Sequence, residues 1–142
     1  MVDAGGDLTT AIMGDLTLAH AKQRGVAGLV INGAVRDVDS IRAQDLPLYA
    51  AGVTHRGPYK DGPGEIGFPL SCGGLVVAPG DLVAADEDGV VVIPRSEAEA
   101  VSAAAEAHAA KEAKTTAAIA GKGWERGWVT QTLSAKGCTV VS

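Results

Sequence analysis

The sequence predicts an α/β fold, on three observations. Helix-like and strand-like segments alternate over residues 11–53, the pattern of parallel strands joined by helical crossovers. The strand-like segments there are short apolar runs, as in strands covered on both faces. The later half carries further short β runs separated by turn signals, and then one long Ala-rich helix.

Each element follows from its residues. Met1-Val2-Asp3 reads as the end of a strand running into Ala4-Gly5-Gly6, which predicts a segment upstream of Met1. Residues 11–24 have helical spacing: Leu16, Leu18, Ala19 and Ala21 fall on nearby faces, Lys22 and Arg24 suit a last turn, and Gly25 suits the stop. Residues 26–31 form a buried strand, residues 37–44 a short helix with Val38 and Ile41 three apart, and residues 48–53 a second strand. Residues 54–74 are rich in Gly and Pro and read as mainly loop. Residues 75–78, 82–85 and 90–93 are β runs. Pro79-Gly80 turns the chain between the first two, and Asp86-Glu87-Asp88-Gly89 closes a hairpin between the last two. Ser96 and Glu99 have capping-box spacing, and the helix they open holds 12 alanines over residues 96–120. The expected division is a domain over residues 1–121 and a tail over residues 122–142.

Composition excludes several function classes. The 142 residues make one domain, or two very small ones. Twelve basic against 17 acidic residues leave a net charge of -5, with no basic cluster for a nucleic-acid backbone. Five scattered aromatic residues make a poor stacking platform. No apolar run approaches the ~20 residues of a membrane span, and no leader pattern is visible. Cys72 and Cys138 are far apart and lack partners at ligand spacing, so the expected setting is a reduced, cytoplasmic one.

Most candidate motifs dissolve in context. Gly62-Pro63-Gly64-Glu65-Ile66-Gly67 matches a dinucleotide fingerprint, yet it follows a loop, contains a proline and opens no helix. His20 and His108 sit on expected helices as ordinary side chains, and the role of His55 in its loop stays open. Cys72 has no visible base to activate it and reads as a small buried residue.

One constellation stands apart. Gly14, Asp15, Leu16 and Thr17 lie early in the first helical segment, and Arg36-Asp37 follows Asp15 after twenty intervening residues, between a buried strand and the next helix. Loops after strand C-termini collect ligands in open α/β sheets. Helix-start amides attract carboxylates, an Arg clamps a carboxylate with two donors, and an Asp suits a hard divalent cation. These parts together suit an anionic substrate and a metal. The plainer alternative is that Asp37 only caps its helix and Arg36 pairs with a surface acid.

At these residues the sequence resembles the family of 4-hydroxy-4-methyl-2-oxoglutarate and 4-carboxy-4-hydroxy-2-oxoadipate aldolases, in the superfamily of the regulator of ribonuclease activity A. The resemblance is carried by Asp15, residues 16–35 and Arg36-Asp37, by Arg24-Gly25-Val26-Ala27-Gly28 and by Asn32-Gly33-Ala34-Val35. Arg56-Gly57-Pro58-Tyr59, Pro79-Gly80-Asp81 and Asp86-Glu87-Asp88-Gly89-Val90 add to it. It runs from Val2 to Lys114 and leaves the tail unmatched.

That resemblance implies a swivelling β/β/α sandwich of RraA-like type, assembled as a homotrimer or a dimer of trimers with sites near subunit boundaries. It implies a lyase: a divalent-metal-dependent class II aldolase that forms pyruvate from 4-hydroxy-2-keto acids and decarboxylates oxaloacetate. The metal would be Mg²⁺, with Mn²⁺ as a substitute. Carried over, the backbone of Gly14, Asp15, Leu16 and Thr17 holds the substrate carboxylate, and Arg36 contacts the keto-acid end. Asp37 is the metal ligand, and Asp15 or the metal holds a water that acts as base. The competing expectation is a non-catalytic regulator that binds a ribonuclease. Relatives also carry an N-terminal segment before the equivalent of Met1.

Overall fold

The structure, a computed structural model, describes residues 1–139. The chain divides into two compact units, with the division between Arg95 and Ser96. The boundary expected after Gly121 does not coincide with it.

The first unit is built on one strand. β1 (Val2–Asp3), β2 (Ala11–Met13), β3 (Leu29–Val35) and β4 (Leu48–Val53) form a sheet in which every pairing is parallel and every pairing is to β3. β4 runs along one edge of β3 from Leu29 to Val35. β1 meets Ile31 and Asn32, and β2 meets Ala34 and Val35, so these two short strands share the other edge end to end.

Two details of β3 explain its course. The expected strand at residues 26–31 begins later and ends later, because Asn32 and Gly33 do not interrupt it. Asn32 Nδ2 donates to Asp3 Oδ1 at 2.8 Å. A Cβ on Gly33 would stand 2.7 Å from the Cβ of Ala4, so only glycine lets the chain after β1 pass this close.

Helices α1 (Asp15–Gln23) and α2 (Val38–Arg42) connect β2 to β3 and β3 to β4. The helix expected from residue 11 is therefore corrected: residues 11–13 are the strand β2, with Ala11 and Met13 buried. Met13, Leu18, Ile31, Val35, Ile41 and Leu46 form the core, with Ile12, Ala21, Leu29 and Leu48 packed against it. Each such side chain contributes about 1.5–3 kcal/mol when fully buried, and Leu18 and Ile31 are the largest that are sealed completely.

Two antiparallel hairpins follow. β5 (Leu70–Cys72) pairs with β6 (Leu75–Val77) across Gly73 and Gly74, both at positive φ, as a two-residue turn of this kind requires. β5 lies inside the segment expected to be loop. Cys72 is half-buried rather than buried. β7 (Leu82–Ala85) pairs with β8 (Val90–Ile93), and the Asp86 amide closes the turn on the Gly89 carbonyl at 3.0 Å. The Pro79-Gly80 turn is pinned by Asp81, whose Oδ2 accepts from the Ala78 amide at 2.9 Å.

The second unit holds α3 (Ala98–Ala120) and α4 (Gly127–Ala135). The capping box at Ser96 is corrected: Arg95–Glu97 form a 3-10 turn, Glu97 takes the N-cap position, and no side chain caps the helix. Of the expected tail, residues 122–139 contain α4, and residues 140–142 lie outside the described residues.

Candidate active site

Because β2, β3 and β4 are parallel, their C-terminal ends lie at the same end of the sheet. Three chain segments leave from there: residues 14–17 into α1, residues 36–37 into α2, and residues 54–57 after β4. Main-chain hydrogen bonds hold them together. The Arg36 amide donates to the Met13 carbonyl at 3.1 Å, the Thr54 amide to the Val35 carbonyl at 3.0 Å, and the Ala11 amide to the Arg56 carbonyl at 2.8 Å.

Asp37 is the pivot. It has φ 62° and ψ 40°, a left-handed conformation that costs a non-glycine residue roughly 1–3 kcal/mol and clusters at functional sites. Its carbonyl accepts the Ile41 amide at 2.9 Å, so its main chain opens α2, yet its side chain makes no capping bond. The carboxylate instead turns toward α1. Its Oδ2 lies 3.4 Å from the Asp15 amide and 3.4 Å from Arg36 Nε. The plainer reading is thus half met: Asp37 stands at the N-cap position, but its charge serves another place. Arg36 does pair with a surface acid, and that acid is its own neighbour Asp37.

Gly14 makes room for this arrangement. It is buried, and a Cβ added to it would collide with Asp37 Oδ2 and stand 3.1 Å from Arg36 Cγ. Asp15 follows, half-buried, with Oδ1 accepting the Leu16 amide at 2.7 Å. Leu16 and Thr17 are exposed, so the start of α1 opens to solvent. The side chains of Arg36 and Asp37 are 43% and 40% exposed, enough for a ligand to reach both.

Gly14, Asp15, Leu16, Thr17, Arg36 and Asp37 are thus gathered in one cluster. Two further residues belong to it that the sequence reading did not single out. A Cβ on Gly57 would stand 3.2 Å from Arg36 Nη1, so the guanidinium lies against the loop after β4. Gln44 Nε2 donates to the Asp15 carbonyl at 3.2 Å. Gly57 had a signal in the Arg56-Gly57-Pro58-Tyr59 block; Gln44 had none. His55 is exposed in that same loop. The glycine-rich match at residues 62–67 leads into β5 rather than into a helix.

The donor chemistry suits a particular kind of ion. Among the described residues no group of three or more His, Cys, Asp or Glu side chains converges, as a closed protein cage for zinc would require. An exposed aspartate with a second carboxylate nearby suits Mg²⁺, which keeps most of its waters and takes one or two protein carboxylates. The cradle above Gly14, which a Cβ would fill, leaves the Asp37 carboxylate space to act this way.

Comparison with known proteins places this geometry in context. The sequence profile of the RraA-like family, Aldolase/RraA, matches residues 1–92. A Halalkalibacterium halodurans protein provisionally named 4-hydroxy-4-methyl-2-oxoglutarate aldolase is 46% identical over 101 residues, 71% of this chain and 48% of that protein. The Thermus thermophilus 4-hydroxy-4-methyl-2-oxoglutarate aldolase is 41% identical over 93 residues, 66% of this chain and 57% of its own length. The chain therefore spans about half the length of these curated relatives. The crystal structure of Streptomyces coelicolor RraAS2, described as an unusual member of the RNase ES inhibitor RraA protein family, superposes with a TM-score of 0.75. It does so at 33% identity, covering 81% of this chain and 60% of that one.

Proposed function

The chain belongs to the RraA-like family, Aldolase/RraA, and from that membership we propose that it is a divalent-metal-dependent class II aldolase. It cleaves 4-hydroxy-2-keto acids of the 4-hydroxy-4-methyl-2-oxoglutarate type to pyruvate, and it decarboxylates oxaloacetate. It works as a homotrimer or a dimer of trimers in the cytoplasm. The observation that carries this reading is the convergence of the Asp15 amide, Arg36 Nε and the Asp37 carboxylate at the C-terminal end of parallel strands. The names of the curated relatives support the aldolase class.

Asp37 would hold the cation, Mg²⁺ or Mn²⁺, with water filling the remaining positions. Bound there, the ion supplies Lewis-acid stabilisation to the oxygens of a 2-keto acid.

The chain's own groups do the remaining work. The helix-start amides of residues 14–17 bind the substrate carboxylate. In the structure Asp15 Oδ1 and Asp37 Oδ2 face two of these amides, so the carboxylate would enter by displacing like charge with like charge. Arg36 orients the keto-acid end and stabilises negative charge as it develops there. The C4 hydroxyl proton passes to a water held by Asp15. As the C3–C4 bond breaks, its electron pair moves into the pyruvate fragment as an enolate, and C4 becomes a carbonyl. Protonation at C3 then releases pyruvate. Loss of carbon dioxide from oxaloacetate leaves the same enolate, so one site serves both reactions. The pathway needs no lysine imine.

A second reading has one observation in its favour: the likeness to a member of the RNase ES inhibitor RraA protein family. On that reading the chain binds a ribonuclease and performs no chemistry. One assay separates the two. Pyruvate release is measured from oxaloacetate and from 4-hydroxy-4-methyl-2-oxoglutarate, with Mg²⁺ and with EDTA, on the wild type and on Asp37→Ala. Metal-dependent pyruvate that vanishes in the variant supports the aldolase. A folded wild type that forms none refutes it and favours the regulator.

A further inference from the structure

Both main-chain polar groups of Asp15 are held from α2, and the two holds come from its opposite ends. At its start, Asp37 Oδ2 faces the Asp15 amide at 3.4 Å. Just past its end, Gln44 Nε2 donates to the Asp15 carbonyl at 3.2 Å. Gln44 is itself fixed. Its amide bonds to the Ile41 carbonyl at 3.0 Å, it is half-buried, and it stands between the core residues Ile41 and Leu46.

We infer that Gln44 is a positioning residue for substrate binding, setting the orientation of the first peptide groups of α1. The inference rests on the proposed function, because it takes those amides as the seat of the substrate carboxylate. The physical argument is one of rigidity. The first-turn amides of a helix lack intrahelical partners, and a first-turn carbonyl has a second lone pair for an outside donor, so outside partners help to set the orientation of these peptide groups. Gly14 before α1 contributes no side-chain anchor. The anchor at Asp15 N is a carboxylate that would also hold a cation. The Gln44 amide is neutral and keeps its hold whether or not substrate and metal are present. Gln44 touches neither substrate nor reacting atoms, so its loss affects how the carboxylate is received more than the bond cleavage that follows.

The test compares wild type with Gln44→Met, which keeps length and loses the donor, and Gln44→Glu, which keeps shape and puts an acceptor against a carbonyl oxygen. Oxaloacetate turnover is measured with saturating Mg²⁺, and amide hydrogen exchange at Leu18, whose amide bonds to the Gly14 carbonyl at 3.3 Å, and at Ala19, one turn after Asp15, is followed on the same samples. Both variants are expected to raise KM about three- to tenfold, the scale of one lost hydrogen bond, with kcat within about twofold of wild type. Both should also exchange Leu18 and Ala19 faster while keeping the wild-type Tm within a few degrees. KM and exchange unchanged in either variant overturn the assignment and leave the aldolase reading standing. A fall in kcat without a change in KM overturns it too. A wild type that forms no metal-dependent pyruvate overturns the aldolase reading and this inference with it.

Discussion

Replacing Gly14 by alanine tests the centre of the site with one methyl group. Gly14 has φ -136° and ψ -165°, an extended conformation open to any residue, so alanine there brings no backbone strain. Reduced freedom of the unfolded chain favours the variant by about 0.4–1 kcal/mol. Against this, the new Cβ collides with Asp37 Oδ2 and stands 3.2 Å from Arg36 Nε. The carboxylate ends a side chain that is 40% exposed and can swing toward solvent. The overpacking cost therefore falls at the low end of about 1–3 kcal/mol. The two effects nearly cancel, and the expected change in Tm is a few degrees, given roughly 4–8 °C per kcal/mol for a domain of this size. Function has no such compensation. Moving the carboxylate breaks its approach to the Asp15 amide and to Arg36, and a misplacement of about 1 Å can cost on the order of 100-fold in rate. Mn²⁺ binding followed by electron paramagnetic resonance, pyruvate formation and thermal melting on the same sample make the assay. The expected result is a near-native melt, weakened Mn²⁺ binding and turnover reduced about 100-fold. A Gly14→Ala protein that binds Mn²⁺ and turns over like the wild type would refute the cradle, and a collapse of Tm would refute the energetic argument.

Three further predictions follow the same logic. Arg36→Ala should lower pyruvate formation by about 100-fold or more while its far-ultraviolet circular dichroism matches the wild type; near-native turnover removes Arg36 from the mechanism. Leu18→Ala, at a fully sealed position of α1, should cost about 2–5 kcal/mol in urea unfolding, and a loss below about 1 kcal/mol would show that the core closes around the gap. Asp7 should give the fold an acid-sensitive component. The Thr9 hydroxyl first, then the Thr9 amide and the Thr10 hydroxyl hold its carboxyl below the ordinary aspartate value. A group depressed in this way contributes stability that is fully present above about pH 4 and is lost as pH falls through the folded-state value. Asp7→Asn should flatten the Tm–pH curve on that acid limb, and an unchanged limb would show that Asp7 does not couple to folding.

The legible parts of the sequence were those where local pattern and final environment agree. The apolar runs at Leu48–Val53, Leu82–Ala85 and Val90–Ile93 are strands with the bounds their residues suggest. The pieces that escaped are those decided by distant partners. Ala11–Met13 is too short to show a period, and only its pairing with β3 makes it a strand. Asn32 and Gly33 look like a break, and they are the residues that let Asp3 and Ala4 approach β3. Leu70–Cys72 is a strand because Gly73 and Gly74 fold it back on Leu75–Val77. For the site, residue types and spacing marked Asp15, Arg36 and Asp37 as a candidate constellation, and the family resemblance supplied their expected roles. The turned-back carboxylate of Asp37 depends on a left-handed backbone that spacing does not reveal, and Gln44 depends on how α2 lies against α1.

Every strand of the parallel sheet bonds to β3 and none to another, so the sheet has a hub and no ring of mutual support. Opening any outer strand alone leaves the others paired, whereas opening β3 releases all of them together. Native-state hydrogen exchange should therefore be graded: the amides of Leu29–Val35 that bond within the sheet should exchange last, near the free energy of global unfolding, and those of β1 early. Arg36 and Asp37 follow directly on that last strand to open. The residues proposed to carry the chemistry are thus tethered to the most persistent part of the chain.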